Sequence, residues 1–464
     1  MRNFKFIIMI VLCVFLILSL SIIGCKKTSA GTAETTAAAE TTAAAETTAA
    51  AETTAAPKSD VTLHMLMEDV PDTRVIEALL PEFTEATGIK VEMEIVQYLD
   101  MHQKLVANFM SQTGSYDVVE VDNYWAGEFP ATGWIIPLDD YIKKDNFDTS
   151  VYLPSLMDMV GYYPMTGTEK QVYMIPLWSY PMGLIYRTDI MDDPELQSAY
   201  KATYNTDLKL PETIEEYVQL SKFMQENAGV SGSSMQGGRG DSIVMEWSNY
   251  LYSVGGTYYD ESWNATINDA NGLKAIELYK DCINNAAPEG ALAFNFDDAF
   301  RVFSQGEAFS MASHTFMLPS LEDPEQSKVV GKIALTPMPG KNSFTGAWGW
   351  SIAANSQYKD EAWEFLKWAE TFDIAKQRAL GGGFATRNDV FSDPEVIAKN
   401  TYYPAVLDIL VKAKPVPEFL YSAEMIEIVG RELSLICTGE KSPQEGLDLA
   451  AKQMDELAVK AKLK

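Results

Sequence analysis

The succession strand, helix, strand at the head of the folded part constrains this chain more than any other feature. Residues 61–67 form a short apolar run, and an amphipathic stretch follows that carries Val75, Ile76, Leu79, Leu80 and Phe83. Gly88 stands where a left-handed helix C′ residue is favoured. Ile89, Val91, Met93 and Ile95 then alternate with Lys90, Glu92 and Glu94, the period of a strand with one buried face. Two strands bridged by a helix run parallel with a right-handed crossover, so an α/β fold is expected. A second helix over 98–110 leads to Tyr116-Asp117-Val118-Val119-Glu120-Val121-Asp122, a strand that ends in an acid. Ligands of open α/β sheets sit beyond the carboxyl ends of strands. Glu68, Asp122 and Trp125, in 68–69 and 122–125, are therefore candidate binding residues.

At roughly 150 residues per domain, a chain of 464 residues suggests two or three folding units. It holds 36 Lys and Arg against 65 Asp and Glu, a net charge of −29, which argues against a large nucleic-acid-binding face. The cysteines Cys13, Cys25, Cys282 and Cys437 form no C-x-x-C pair, and the histidines are only His64, His102 and His314. No metal and no cofactor are expected. Pairing of Cys282 with Cys437 stays open.

Arg2 and Lys5 precede an apolar run from 6 to 18, and Ile22-Ile23-Gly24-Cys25 follows, the layout of an export signal. Ile-Ile-Gly-Cys resembles a bacterial lipobox, which implies cleavage after Gly24, lipidation of Cys25 and a signal peptide over 1–25; an uncleaved membrane anchor is the alternative. Either places the remaining chain outside the cytoplasm. From 32 to 54 the sequence cycles through Ala-Ala-Ala-Glu-Thr-Thr, and residues 26–59 read as a low-complexity tether. Farther on, Thr213 and Glu216 form a capping box before a Tyr217, Leu220, Met224 stripe. Residues 229–240, punctuated by glycine, are expected to be an exposed loop. Helices are expected from Asn271, over 297–303, around Ala362, Phe365, Leu366 and Ala369, and through most of the chain beyond Ala423.

An ordered series of segments carries a resemblance over nearly all of 60–464. It includes Phe83-Thr84-Glu85-Ala86-Thr87-Gly88-Ile89-Lys90-Val91, Gly133-Trp134-Ile135-Ile136-Pro137-Leu138, Tyr173-Met174-Ile175-Pro176-Leu177, Phe303-Ser304-Gln305-Gly306-Glu307-Ala308, Gly346-Ala347-Trp348-Gly349-Trp350 and Gly381-Gly382-Gly383-Phe384-Ala385-Thr386-Arg387. Together they resemble the extracellular solute-binding protein family 1, the maltose-binding-protein-like sugar-binding lipoproteins of ABC importers. The resemblance implies a two-lobed periplasmic-binding-protein fold of type II, with the ligand cleft between lobes and three hinge crossovers near 178–183, 309–313 and 371–375. Residues 60–180 and 312–372 would form the first lobe, and 181–311 and 373–464 the second. It also implies a monomer that is no enzyme. Such a monomer, anchored by lipid on the outer face of a bacterial membrane or its periplasmic side, would bind a sugar and pass it to permease subunits driven by a cytoplasmic ATPase.

A sugar offers apolar C–H faces and a rim of hydroxyls, so its site needs aromatic platforms beside carboxylates, amides or Arg. By resemblance Trp348 is the stacking aromatic. Trp247 lies on the helix that reaches the cleft from the second lobe, or else in the core. Trp178 and Tyr180 flank the first crossover as ligand contacts or hinge packing. Glu68 and Asp122 supply acceptors, Arg387 closes the Gly-rich segment, and Phe316 replaces the usual platform tryptophan. His314 reads more readily as a structural group. Trp134, Trp263, Trp350, Trp363 and Trp368 are assigned to packing. Competing readings are a surface carbohydrate-active hydrolase using two carboxylates, or a receptor for a polyol, peptide, polyamine or ferric complex, the last through tyrosine pairs such as Tyr162-Tyr163. The stretch Asn268-Asp269-Ala270-Asn271-Gly272 lacks the first acid and last Glu of a calcium loop.

Overall fold

The computed structural model describes residues 60–111, 114–164 and 169–464. The expected signal peptide, Cys25 and the 26–59 tether lie outside the described residues. The elements that shape the site are, in chain order, β1 (Thr62–Glu68), α1 (Pro71–Thr87), β2 (Lys90–Val96), α2 (Tyr98–Ser111), β3 (Val118–Asp122) and β4 (Ile175–Arg187). There follow α3 (Ile214–Asn227), β5 (Ser231–Ser234), α4 (Asp241–Ser253), α5 (Ala270–Asn285), α6 (Phe296–Ser304), β6 (Ala308–His314), β7 (Ile333–Thr336) and β8 (Thr345–Ile352). Helices α7 (Lys359–Ala369), α8 (Phe372–Leu380), α9 (Tyr403–Leu410), α10 (Ser422–Cys437) and α11 (Pro443–Lys460) complete the set.

The initial βαβ unit forms as its periodicity requires. Gly88 ends α1 at φ 80°, and β1 pairs parallel with β2 from Thr62 opposite Lys90 to Glu68 opposite Val96. Eight strands join in the order β2-β1-β3-β8-β4-β6-β5, with β7 also on β4. The fold is α/β and two-lobed, and the strand that joins its halves is β4. Residues through Pro181 of this strand pair with β8, whereas Met182 to Arg187 pair with β6 and β7. One apolar cluster packs Leu63, Met65, Phe83, Trp350 and Phe365 around the β1 side. Another packs Trp247, Tyr250, Tyr279, Leu433 and Met454 among α4, α5, α10 and α11.

Strand pairing moves two of the expected crossovers. Both β6 and β7 lie on the far half of β4, so 309–313 stays within that half, and the chain returns only between Thr336 and Thr345, which stands opposite Pro181. Likewise 371–375 opens α8 without changing halves. Arg378 donates to the Leu177 carbonyl, Thr386 to the Pro176 carbonyl, and Phe384 N–H to Asp72, which holds this stretch against the first half. The third passage comes near Lys414, whose N–H bonds Ser343 and whose carbonyl accepts from Thr345. Thr371 marks a helix start, and a local start signal carries no information about which half receives the helix. Met182 N–H in turn donates to the Phe344 carbonyl at 2.8 Å. All three connecting segments thus lie side by side.

The capping box of Thr213 and Glu216 forms at the start of α3. The glycine-punctuated 229–240 stretch differs from its expected exposed loop: it contains β5, and 232–237 is buried. Gly232 explains this, because a Cβ there would fall 1.8 Å from the Ser221 carbonyl oxygen, so only the smallest residue lets β5 press against α3. Cys282 and Cys437 are buried free thiols.

Within α4, Glu246 is fully buried; one carboxylate oxygen accepts the Gln236 N–H and the other has no partner. Burial pushes its pKa well above the carboxylate range. A raised folded-state pKa means that the native state retains a proton which the unfolded chain loses above about pH 4.5, so this residue lowers stability progressively as pH rises. Glu246→Gln is therefore expected to stabilise the protein by at least about 1 kcal/mol at pH 8, since each unit of pKa separation corresponds to about 1.4 kcal/mol. The gain should shrink toward pH 4.5, and urea titrations of both proteins at the two pH values measure it.

Candidate functional site

Three strand ends converge where the halves meet. Glu68 closes β1, Asp122 closes β3, and β8 sets Trp348 directly opposite Asp122. Asp122 caps a single turn of 3₁₀ helix by accepting the Tyr124 N–H at 3.2 Å, and it accepts the Tyr98 hydroxyl at 2.6 Å. That turn carries Asn123 and Tyr124 into the wall of a cavity, where Asn123 Oδ1 accepts the Ala347 N–H. Met245 of α4, Phe296 of α6, His314 at the end of β6, Phe316 and Phe344 face them from the other half. The space enclosed is about 30 Å³, room for one or two waters, so a solute of sugar size enters only when the walls separate.

Trp348 is the platform of this cavity. A Cβ on Gly346 would lie 3.2 Å from the Trp348 ring and 3.3 Å from Asn123 Oδ1, so glycine is what lets the indole lie close to the strand. Behind it the Tyr180 ring centroid stands 5.4 Å from Trp348 and 4.9 Å from Phe316, and the Tyr180 hydroxyl donates to Asp72 at 2.9 Å. Glu68 Oε2, the Tyr124 hydroxyl and Trp348 Nε1 are buried without hydrogen-bond partners. Buried polar atoms of this kind call for a guest or water to complete them. An aromatic face, an acceptor and two donors together match a hydroxyl-bearing carbon skeleton.

Charge at the site is one-sided. Burial and then the nearby Asp122, Asp297, Asp69 and Asp72 push the Glu68 pKa up. Burial lifts Asp122 to about 7 against the opposing Tyr98 and Tyr124 hydrogen bonds, and Asp72 to about 6 against Arg378. Glu120, which accepts the Glu68 N–H at 2.8 Å, is raised by burial and by Glu68. His314 is driven down to about 4 by burial and is neutral at physiological pH. Its Nδ1 lies 2.9 Å from the Tyr180 carbonyl, which can only accept, so Nδ1 carries the proton and Nε2 keeps a free lone pair. Among the described residues lining the cavity none is Lys or Arg.

The structure brings together four of the sequence candidates on the cavity wall: Glu68, Asp122, Phe316 and Trp348. Tyr180 supports Trp348 from behind, and Trp178, fully buried, stacks on Tyr180 with centroids 6.0 Å apart. Trp125 is 4% exposed and stacks on Tyr98 instead of reaching the cavity. Trp247 is fully buried edge-on to Tyr258, because its position on α4 turns toward the helical core while Met245 faces the cavity. Arg387 is held away from the cavity by Asp389 at 2.7 Å and by the Glu370 carbonyl at 2.6 Å. Tyr98, Met245, Phe296, Phe344 and Gly346 belong to the wall and were not among the sequence candidates, while Asn123 and Tyr124 lie in the 122–125 stretch expected at a ligand-binding strand end but were not singled out. For Asn123 and Tyr124 a signal existed, since Asp followed by a polar residue commonly caps a turn.

Residues 69–371 match the sequence model for bacterial extracellular solute-binding proteins. A probable amino-acid ABC transporter periplasmic-binding protein of Sinorhizobium fredii is 27% identical over 70% of this chain and 72% of its own length. A mannitol-binding protein of Pseudomonas aeruginosa is 24% identical over 66% of each chain. Among solved structures, an ABC transporter solute-binding protein of Agrobacterium radiobacter K84 in complex with ribitol aligns at a TM-score of 0.75 and 27% identity, covering 87% of this chain and all of that one.

Proposed function

The chain belongs to the bacterial extracellular solute-binding protein family, and from that premise we propose that it captures a sugar or polyol between its lobes and delivers it unaltered to an ABC permease. The observation that carries this reading is the cavity itself: the Trp348 face, Glu68 and Asp122, with the donors Tyr124 and Trp348 Nε1 left open. Mannitol and ribitol as the solutes of two relatives support a polyhydroxylated guest. An amino acid, suggested by the Sinorhizobium relative, would bring a carboxylate for which the wall has no Lys or Arg.

In this reading the lobes exchange at 181–182, 337–344 and about Lys414, and closure is driven by the affinity gained when one solute touches both walls. Attachment to the membrane runs through a lipid on Cys25. Mass spectrometry of the mature protein tests that attachment, an N-terminus other than a lipidated Cys25 contradicting it. A thermal-shift screen of the purified full chain against sugars, polyols, amino acids, polyamines and ferric citrate tests the function. A sugar or polyol at a hundredfold its Kd should add about 2.7 kcal/mol of stability, and the solute should be recovered intact by chromatography. Stabilisation confined to amino acids or ferric citrate, or cleavage of the sugar, would overturn the proposal.

A further inference from the structure

Resting on the sugar-or-polyol reading, we propose that the solute carries a protonated amine on its hydroxylated skeleton, an amino sugar or amino polyol, and that Glu68 is the group that pairs with it. Glu68 is 6% exposed, lines the cavity, and has Oε2 free of any partner. The oxygens of Asp122, by contrast, already accept from Tyr98 and Tyr124. Glu68 is thus the carboxylate on the wall with an uncommitted oxygen.

Carboxylates gather around Glu68 from several elements. Asp122 and Glu120 face it from β3, Asp69 and Asp72 from the segment that follows β1, and Asp297 from α6 across the cavity. The basic side chains that reach this set are engaged elsewhere. Arg378, which faces Asp72, bonds Glu370 at 2.7 Å and the Leu177 carbonyl at 2.5 Å. His102, which faces Asp122, lies 2.8 Å from Glu128. His314 adds a lone pair at Nε2, another acceptor and no charge.

A neutral guest can donate one hydroxyl to Glu68, yet it brings no positive charge to the carboxylates gathered around it. An ammonium lets Glu68 ionise and pairs with it at a buried position, where attraction between charges is stronger than in solution. The rest of the wall suits a cation as well. Tyr98, Tyr124, Phe296, Phe316, Phe344 and Trp348 surround the cavity with aromatic side chains, and the faces of such rings attract an ammonium group. Hydroxyl recognition by Trp348 and the ammonium pair at Glu68 occupy different atoms of one solute.

Isothermal titration of the purified full chain at pH 7 with matched ligands tests this. The sets are glucosamine, glucose and N-acetylglucosamine, and 1-amino-1-deoxysorbitol with sorbitol; acetylation keeps the nitrogen and removes its charge. The amine-bearing member of at least one set is expected to bind tenfold or more tightly than its neutral counterparts, and Glu68→Gln should bring that ratio close to one. Neutral members binding as tightly as the amines, or no amine-bearing member binding, overturns the proposal, and this comparison on the unmodified protein decides it even where the variant does not fold. If neutral sugars or polyols bind and the amine adds nothing, the amine is rejected and the sugar-or-polyol function stands. If putrescine binds while no sugar, polyol or amino sugar does, both fall.

Discussion

Arg378→Met is expected to destabilise the protein by about 3–5 kcal/mol, read as a lower urea midpoint. Arg378 is 4% exposed and Glu370 is 2% exposed, so their 2.7 Å pair is shielded from water. Glu370 also accepts from Trp350 Nε1 at 2.8 Å and from the Tyr152 hydroxyl at 3.1 Å. Removing the guanidinium leaves a carboxylate buried among aromatic rings and strips the Leu177 carbonyl of its donor. The cost falls on the strand that leads to Tyr180, the ring behind Trp348. Adding Glu370→Leu should recover a large part of the loss, because the penalty arises from the stranded charge more than from the lost attraction. A single-variant loss below about 1 kcal/mol would show that the pair contributes little.

Trp348→Ala should weaken binding of the best sugar or polyol by about 2 kcal/mol, roughly thirtyfold in Kd. The change removes both the stacking face and the unpartnered Nε1 donor. Stacking of an aromatic pair is worth about 0.5–1.5 kcal/mol, so an effect larger than that range implicates the N–H as well. Trp348→Phe, which keeps a ring and loses the donor, should fall between wild type and alanine. Affinity unchanged in Trp348→Ala would remove the indole from the site.

The alternation of Ile89, Val91, Met93 and Ile95 and the glycine at 88 were enough to place the first parallel pair and with it Glu68 at a strand end, and the run from Tyr116 placed Asp122 at the end of the next strand. These residues reach the cavity because their position follows from topology: the carboxyl end of a parallel strand is the same place in every open α/β sheet. Trp348 was legible through the resemblance of Gly346-Ala347-Trp348-Gly349 to a family segment, and the room that Gly346 leaves for its indole became visible only in the structure. Trp247 and Met245 lie two residues apart on one helix, and that spacing puts them on different faces. Which face meets the cavity depends on how α4 sits against α5 and α10, and the sequence of α4 is apolar on both. Arg387 followed two residues later by Asp389 carried a local ion pair that the glycine-rich context obscured. Phe296, Phe344 and Tyr98 enter from separate segments with no motif of their own. Crossover positions were hidden for a similar reason, since β6 and β7 take their places by hydrogen bonding to β4 and not by any signal at 309–313 or 371–375.

The central claim is that a hydroxylated solute lies between Trp348 and Glu68, touching both halves of the molecule at once. A crystal structure of the protein grown with its tightest-binding sugar or polyol tests this most directly. The account predicts the solute stacked on the Trp348 indole, within hydrogen-bond distance of Glu68 and of Tyr124, and in contact with Phe316 or His314 from the opposite wall. A solute bound outside this cavity, for instance in the surface groove beside Trp263 and Tyr259, with the Trp348 wall unchanged, would contradict it.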